Sequence, residues 1–220
     1  LYAALVFIIF SILFWGIYEQ AGGSLSIYAA KNLDSNLLGL NLDPNGVNNS
    51  GGAFFIILIA PLLGLLWIWL AKRKVEPNTV IKFGLGFIFL GLGYYVLFAT
   101  KFFANADGVT SLNFFTLALL VITFGELCLS PIGLSIMTKL STRNLQGMMM
   151  GMWFLASAYG QYVAGIIGAN MASAKQGATN YEKLITYTNG YKDLALYALI
   201  AGLVLILISP LVKKLMQEVH

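Results

Sequence analysis

Apolar residues run along this chain in long unbroken stretches rather than in alternation. Six stretches, at about 1–30, 53–71, 83–100, 112–138, 145–174 and 194–212, are bounded by charges or turn formers: AKRKVEPN after the second, TKLSTRN after the fourth, KKLMQEVH after the last. A bilayer core takes about 20 apolar residues per helix, whereas transmembrane β-strands would alternate over about 10. The pattern predicts an all-α integral membrane bundle of six transmembrane helices. Two intervening segments, KNLDSNLLGLNLDPNGVNNSGG and SAKQGATNYEKLITYTNGYKD, are rich in Asn, Gly and Ser and read as surface turns. Asn48-Asn49-Ser50 fits a glycosylation sequon, a common chance match of little weight.

Composition agrees. Of 220 residues, 59% are hydrophobic and only 10% charged, against about 25% charged in soluble domains. The single cysteine, Cys128, excludes a disulfide within the chain. The net charge of +4 comes from basic residues at the ends of apolar runs. That placement speaks for membrane orientation rather than the basic groove that nucleic acid requires. Lys72, Arg73, Lys74, Lys82, Lys139, Arg143, Lys213 and Lys214 fall on one side; Lys31, Lys101, Lys175, Lys183 and Lys192 fall on the other. The first side is expected to be cytoplasmic, with both ends of this chain there, in a multi-pass protein of the inner cell membrane. The chain opens at Leu1, already inside an apolar run and with no leader before it, so further sequence is expected ahead of it.

Only two spans carry an ionisable residue at depth. Glu126 lies 14 residues past Leu112 and 13 before Lys139, which places it near the bilayer midplane. Glu19 lies 14 residues past Leu5, slightly beyond the middle toward the outside. A charge at the bilayer centre costs at least roughly 2.5–3.5 kcal/mol, so each acid must face protein or a water-filled cavity. No basic residue sits inside any span. Each acid is therefore either protonated at rest, as a purely structural carboxyl would be, or paired with a group elsewhere. The functional reading is preferred, because a buried acid without a partner is poised to take up a proton or grip a cation.

The acids also occupy matching places. If spans one to three and four to six form an inverted repeat, each acid lies on the first helix of its triplet. Transporter folds put their sites near the midplane on interrupted helices. Pro131 supplies the expected interruption in the fourth span, since it cannot donate to the Leu127 carbonyl. At helical spacing, Glu126, Ser130, Gly133 and Met137 share one stripe, as do Trp15, Glu19, Gly22, Gly23 and Ser26. On the fifth span, Trp153, Ser157, Gly160, Gln161, Ala164 and Gly168 line one side. The small residues also suit close helix packing. Trp153, well inside its span, is either packed core or an aromatic wall for a ligand; the wall is preferred.

FWGIYEQAGGS, GELCLSPIGLSIMTKL and MMMGMWFLASAYGQYVAG, in this order, resemble the C-terminal six-helix half of the proton-dependent oligopeptide transporters, a family of the major facilitator superfamily. The resemblance covers essentially the whole chain. It implies that Leu1 opens the seventh of twelve helices, with an absent N-terminal half carrying an ExxER motif on helix one and a lysine on helix four. It further implies proton-coupled symport of di- and tripeptides, with the proton as coupling ion and no other cofactor. By resemblance, Glu126 takes the peptide's amino terminus, can pair with the helix-four lysine, and shares in proton coupling and gating. Glu19 pairs with the helix-one arginine and takes part in proton coupling. Trp15, Trp153, Ser130 and Ser157 are implied pocket positions, and Pro131 lets its helix bend as the cytoplasmic gate closes. One departure stands out: many bacterial members have Asn-Pro at the start of helix eight, where this chain has Gly52 and Ala53. His220, the only histidine, is the last residue of this sequence and is not expected to serve proton coupling.

Other readings are weaker. A facilitator for another small solute, such as a drug or nitrate, shares the architecture, although nitrate would meet acid rather than base here. A membrane-embedded enzyme would want His, Cys or paired acids on neighbouring helices. The partners expected are peptide substrates, membrane lipid and the N-terminal half of the same transporter, not nucleic acid.

Overall fold

The computed structural model describes residues 2–172 and 177–216. Leu1, Lys175 and His220, and the last two residues of the expected span 145–174, lie outside the described residues. The chain folds as α1 (Tyr2–Tyr18), α2 (Ser24–Asn32), a short hairpin of β1 (Asn36–Leu37) and β2 (Leu40–Asn41), α3 (Pro44–Lys72), α4 (Thr79–Ala99), α5 (Leu112–Lys139), α6 (Gln146–Ala172) and α7 (Asn180–Leu215). A single 3-10 turn, Thr100–Phe103, extends α4.

Among the described residues, α3, α4 with its 3-10 extension, α5 and α7 are long and apolar enough to cross a membrane. α1 is apolar but has 17 residues. α6 has the length but not the apolarity: glycines, tyrosines and Gln161 dilute it.

Three expectations need correction. The first apolar run is not one helix: it stops at Tyr18 and restarts at Ser24, so Trp15 and Ser26 do not share a continuous stripe. The fourth run is not interrupted at Pro131, which lies inside an unbroken α5. And residues 180–193 are not surface turns but the first turns of α7. There Thr179 accepts from the Glu182 backbone N–H while the Glu182 carboxylate accepts from the Thr179 backbone, a reciprocal cap that starts a helix well before the apolar run. α3 likewise starts early, at Pro44, capped by the Asp43 carboxylate accepting from the Gly46 N–H at 2.6 Å.

α4 is the centre of the bundle, packed against α5 on one side and α7 on the other. Its glycines set the distances. A Cβ on Gly125 of α5 would fall 2.6 Å from the Gly86 carbonyl oxygen, and one on Gly202 of α7 would fall 2.9 Å from that of Gly84. Backbones this close trade side-chain volume for dispersion contact, which drives helix association where lipid removes the hydrophobic incentive. α3 is the opposite case, touching mainly α5 and α2. Only 11% of its most apolar stretch is buried, against 56% for α4, so most of its surface is left uncovered by the rest of the chain.

Candidate functional site

The break after Tyr18 puts the site together. An open backbone at membrane depth survives only where protein takes up its polar groups, and here it does. The Ile17 carbonyl accepts from the Tyr94 hydroxyl at 2.7 Å. The Ala21 carbonyl accepts from Asn48 Nδ2 at 2.9 Å and Ser26 Oγ at 2.5 Å. Gln20, 0% exposed, donates to the Ala164 carbonyl of α6 at 3.1 Å and accepts from Ser24 Oγ at 2.8 Å. Gly22 and Gly23 fall in this turn. One polar knot thus ties the first run to α3, α4 and α6.

Glu19 is the first residue past α1, and its neighbour Tyr18 reaches across to α5. The Tyr18 hydroxyl donates to Glu126 Oε2 at 2.5 Å. Glu19 Oε1 accepts from Gln161 Nε2 of α6 at 3.5 Å. Both acids are half-buried, and the partner of each is uncharged. Tyr18 lies within electrostatic reach of both carboxylates, which also feel one another. Through Tyr18, which precedes Glu19 in the chain and bonds Glu126, two acids 107 residues apart in sequence are brought to one region of the bundle.

The aromatic residues divide. Trp15 is half-buried beside the cluster, with its ring edge-on to Tyr18 at 5.3 Å. Its Nε1 is buried without a hydrogen-bond partner among the described residues. Behind it, α6 comes so close that a Cβ on Gly160 would lie 2.4 Å from Trp15 Cβ. Trp153 is 3% exposed and packed: its ring occupies the space a Cβ on Gly133 would need, 1.9 Å away, and meets Phe83 edge-on at 6.4 Å. Within this chain Trp153 is core, and the preferred expectation of an open wall does not match its burial. Ser157 Oγ donates back to the Trp153 carbonyl at 3.4 Å. Ser157 and Ser130 are both half-buried, whereas Gln161, placed with them by spacing, is exposed. Pro131 is exposed and lines a different cavity on the far side of α5. Tyr18 was not singled out from the sequence. A tyrosine preceding a buried acid was the available signal, but its acceptor is 108 residues away.

Carboxylates at an interrupted membrane helix, held by neutral donors beside Trp15, are the kind of site that secondary transporters build. The profile of the POT family matches residues 1–184, and the chain belongs to that family. It is similar to the peptide transporter YePEPT of Yersinia enterocolitica subsp. palearctica, 36% identical over 160 residues, covering 72% of this chain and 31% of that protein. It is also similar to dipeptide and tripeptide permease B of Aeromonas hydrophila, 29% identical over 219 residues, covering 99% of this chain and 43% of that one. A crystal structure of a peptide transporter POT in complex with sulfate superposes with a TM-score of 0.81 at 30% identity, over 98% of this chain and 41% of the other. The chain therefore spans less than half the length of these relatives, and they are transporters, not enzymes.

Proposed function

We propose that this chain is the C-terminal six-helix half of a major facilitator transporter that carries di- and tripeptides across the cytoplasmic membrane with protons, by alternating access. The observation that carries this reading is Glu126, half-buried and held by a single neutral donor, Tyr18, beside a second acid at a helix break. A desolvated carboxylate without a cation is matched by an ammonium, and a peptide's amino terminus supplies one. Glu126 is the amino-terminus site, and Tyr18 keeps its oxygens oriented until the ammonium arrives. Trp15, Ser130 and Ser157 line the peptide's path, and Trp153 fixes the helix distance behind them. Glu19, at the break, takes up the proton, and Pro131 gives α5 its hinge.

The N-terminal half would cover the exposed apolar face of α6, where Phe154, Tyr159 and Tyr162 stand more than half exposed. Both ends of the chain face the cytoplasm in this reading, from the charge bias at the span ends. Di- and tripeptide substrates are supported by the permease B relative, whose name carries them.

The test compares Glu126→Gln, Glu19→Gln and Tyr18→Phe in the full-length protein, reconstituted in liposomes. Glu126→Gln should weaken peptide binding in every assay. Glu19→Gln should abolish uptake driven by a proton gradient but spare peptide-for-peptide exchange, which moves no net proton. Tyr18→Phe should raise KM by about tenfold to 100-fold and shift the pH profile of uptake, the loss of one hydrogen bond to a charged group. Wild-type peptide affinity in Glu126→Gln, or gradient-driven accumulation in Glu19→Gln, would overturn the assignment. Uptake competed by drugs or nitrate but not by dipeptide would move the protein to another substrate class.

A further inference from the structure

Where the 3-10 extension of α4 meets the early turns of α7, two lysines share one aromatic ring. Lys101 Nζ lies 4.1 Å from the centroid of Phe98, and Lys192 Nζ lies 5.8 Å from it. The two ammonium groups are thus no more than about 10 Å apart, a distance over which like charges still repel in about 0.1 M salt. Lys101 also lies 5.3 Å from the Phe102 ring and donates to Asn189 Oδ1 of α7 at 3.1 Å. Rings and an amide hold these cations in place without neutralising them.

Among the described residues neither lysine is ion-paired; Asp107 and Asp193, the acids nearest in sequence, are not their partners. Residues 173–176, SAKQ, contain no acid either. An ammonium carries three N–H donors, and Lys101 spends one on Asn189. Lys101 is half-buried, where an ammonium without an anion is costly, and a second cation beside it raises that cost. One anion between the two would relieve both.

Depth identifies the anion. Phe103 closes Thr79–Phe103, a stretch long and apolar enough to cross a membrane, and Lys192 stands two residues before the apolar run that starts at Leu194. Both lysines therefore sit where spans leave the hydrocarbon, at the level of lipid headgroups. An apolar path continues from there. On α7, Leu196 and Leu203 follow Lys192 at i+4 and i+11 and are 52% and 54% exposed. On α4, the exposed Tyr95 packs its ring on Phe98 at 5.5 Å. A hydrated inorganic ion gains nothing from that path, whereas an acyl chain does.

We infer that Lys101 and Lys192, gathered over Phe98, bind the phosphate of an anionic phospholipid whose acyl chains lie along Tyr95, Leu196 and Leu203. A choline headgroup would bring a third cation to the pair and is disfavoured. The site is independent of the peptide reading, and its test reads lipid rather than transport.

The full-length protein is purified and its retained lipids are counted by native mass spectrometry, with phosphatidylglycerol and phosphatidylcholine as probes. Lys101→Gln/Lys192→Gln should weaken phosphatidylglycerol retention by about 30-fold, the usual gain for two lysines near an anionic lipid. Lys101→Arg/Lys192→Arg, which keeps both charges, should retain it. So should Lys31→Gln/Lys183→Gln, the same charge change elsewhere on that side of the chain. Excess inorganic phosphate should not displace the lipid. Equal loss in the control pair would reduce the site to general surface charge, and equal loss in the arginine pair would reduce it to a packing defect. Equal retention of phosphatidylcholine, or displacement by phosphate, would likewise overturn the proposal. A second measurement needs no variant: phosphatidylglycerol should raise the Tm of the parent protein more than phosphatidylcholine or phosphate, and no difference among the three counts against the site.

Discussion

The first apolar run and α5 each carry one acid of the cluster, and each meets a residue that disfavours helix. Only the first is interrupted. α5 runs through Pro131, where one donor is lost and the fixed φ still suits a helix. The first run opens at Glu19 to Gly23 because Tyr94, Asn48 and Ser26 are in place to take up the carbonyls that the opening frees. The difference teaches that a membrane helix breaks where its neighbours can satisfy the backbone, not simply where its own residues are weakest.

The comparison can be broken at several points. The largest effect is expected on the α5 side, where Trp153 fills the space over Gly133 two residues beyond the proline. Trp153→Ala should cost about 3–5 kcal/mol and lower the Tm and membrane abundance of the full-length protein. A raised KM with unchanged Tm would instead assign Trp153 to the peptide pocket. Next comes the break itself. Gln20→Leu removes the bond to the Ala164 carbonyl and strands the buried Ser24 hydroxyl, and should cost about 1–3 kcal/mol in the same melting assay. An unchanged Tm would mean that the opening does not depend on the polar knot. The smallest effect is expected from Pro131→Ala: less than about 1 kcal/mol, in either direction, since neighbouring helices tolerate the lost donor. Slower transport with an intact Tm would place the contribution of Pro131 in movement, and a large loss of stability would contradict the contrast drawn here.

The sequence made the long apolar helices legible because each carries its signal within about 20 residues. It also singled out Glu126 and Glu19, since an acid inside such a run is conspicuous by cost alone. The reciprocal cap of Thr179 and Glu182 was equally local, a T-x-x-E spacing, but it was masked by a polar stretch that resembles a loop. The break and the joining of the acids were a different matter. Gln20 finds its acceptor 144 residues away, Tyr94 finds Ile17 at 77, and Tyr18 finds Glu126 at 108. No local pattern carries those pairings. A proline, by contrast, advertises a kink whether or not the tertiary structure uses it.

The span of the Gln20 to Ala164 bond also bears on how the chain is made. At about 5–20 residues per second, a ribosome needs roughly 7–30 s to travel the 144 residues between the two partners. For that interval the gap after α1 has been synthesised without the helix that closes it, while apolar α3 can settle in lipid unaided. α6, too polar to rank with the strongly apolar helices, then enters where α1 and the knot already wait to receive it. The middle of the chain is thus free to insert before the seam between α1 and α6 can close, with α7 still to follow. Slow-folding or degradation-prone variants should collect along that seam rather than on the outer face of α3.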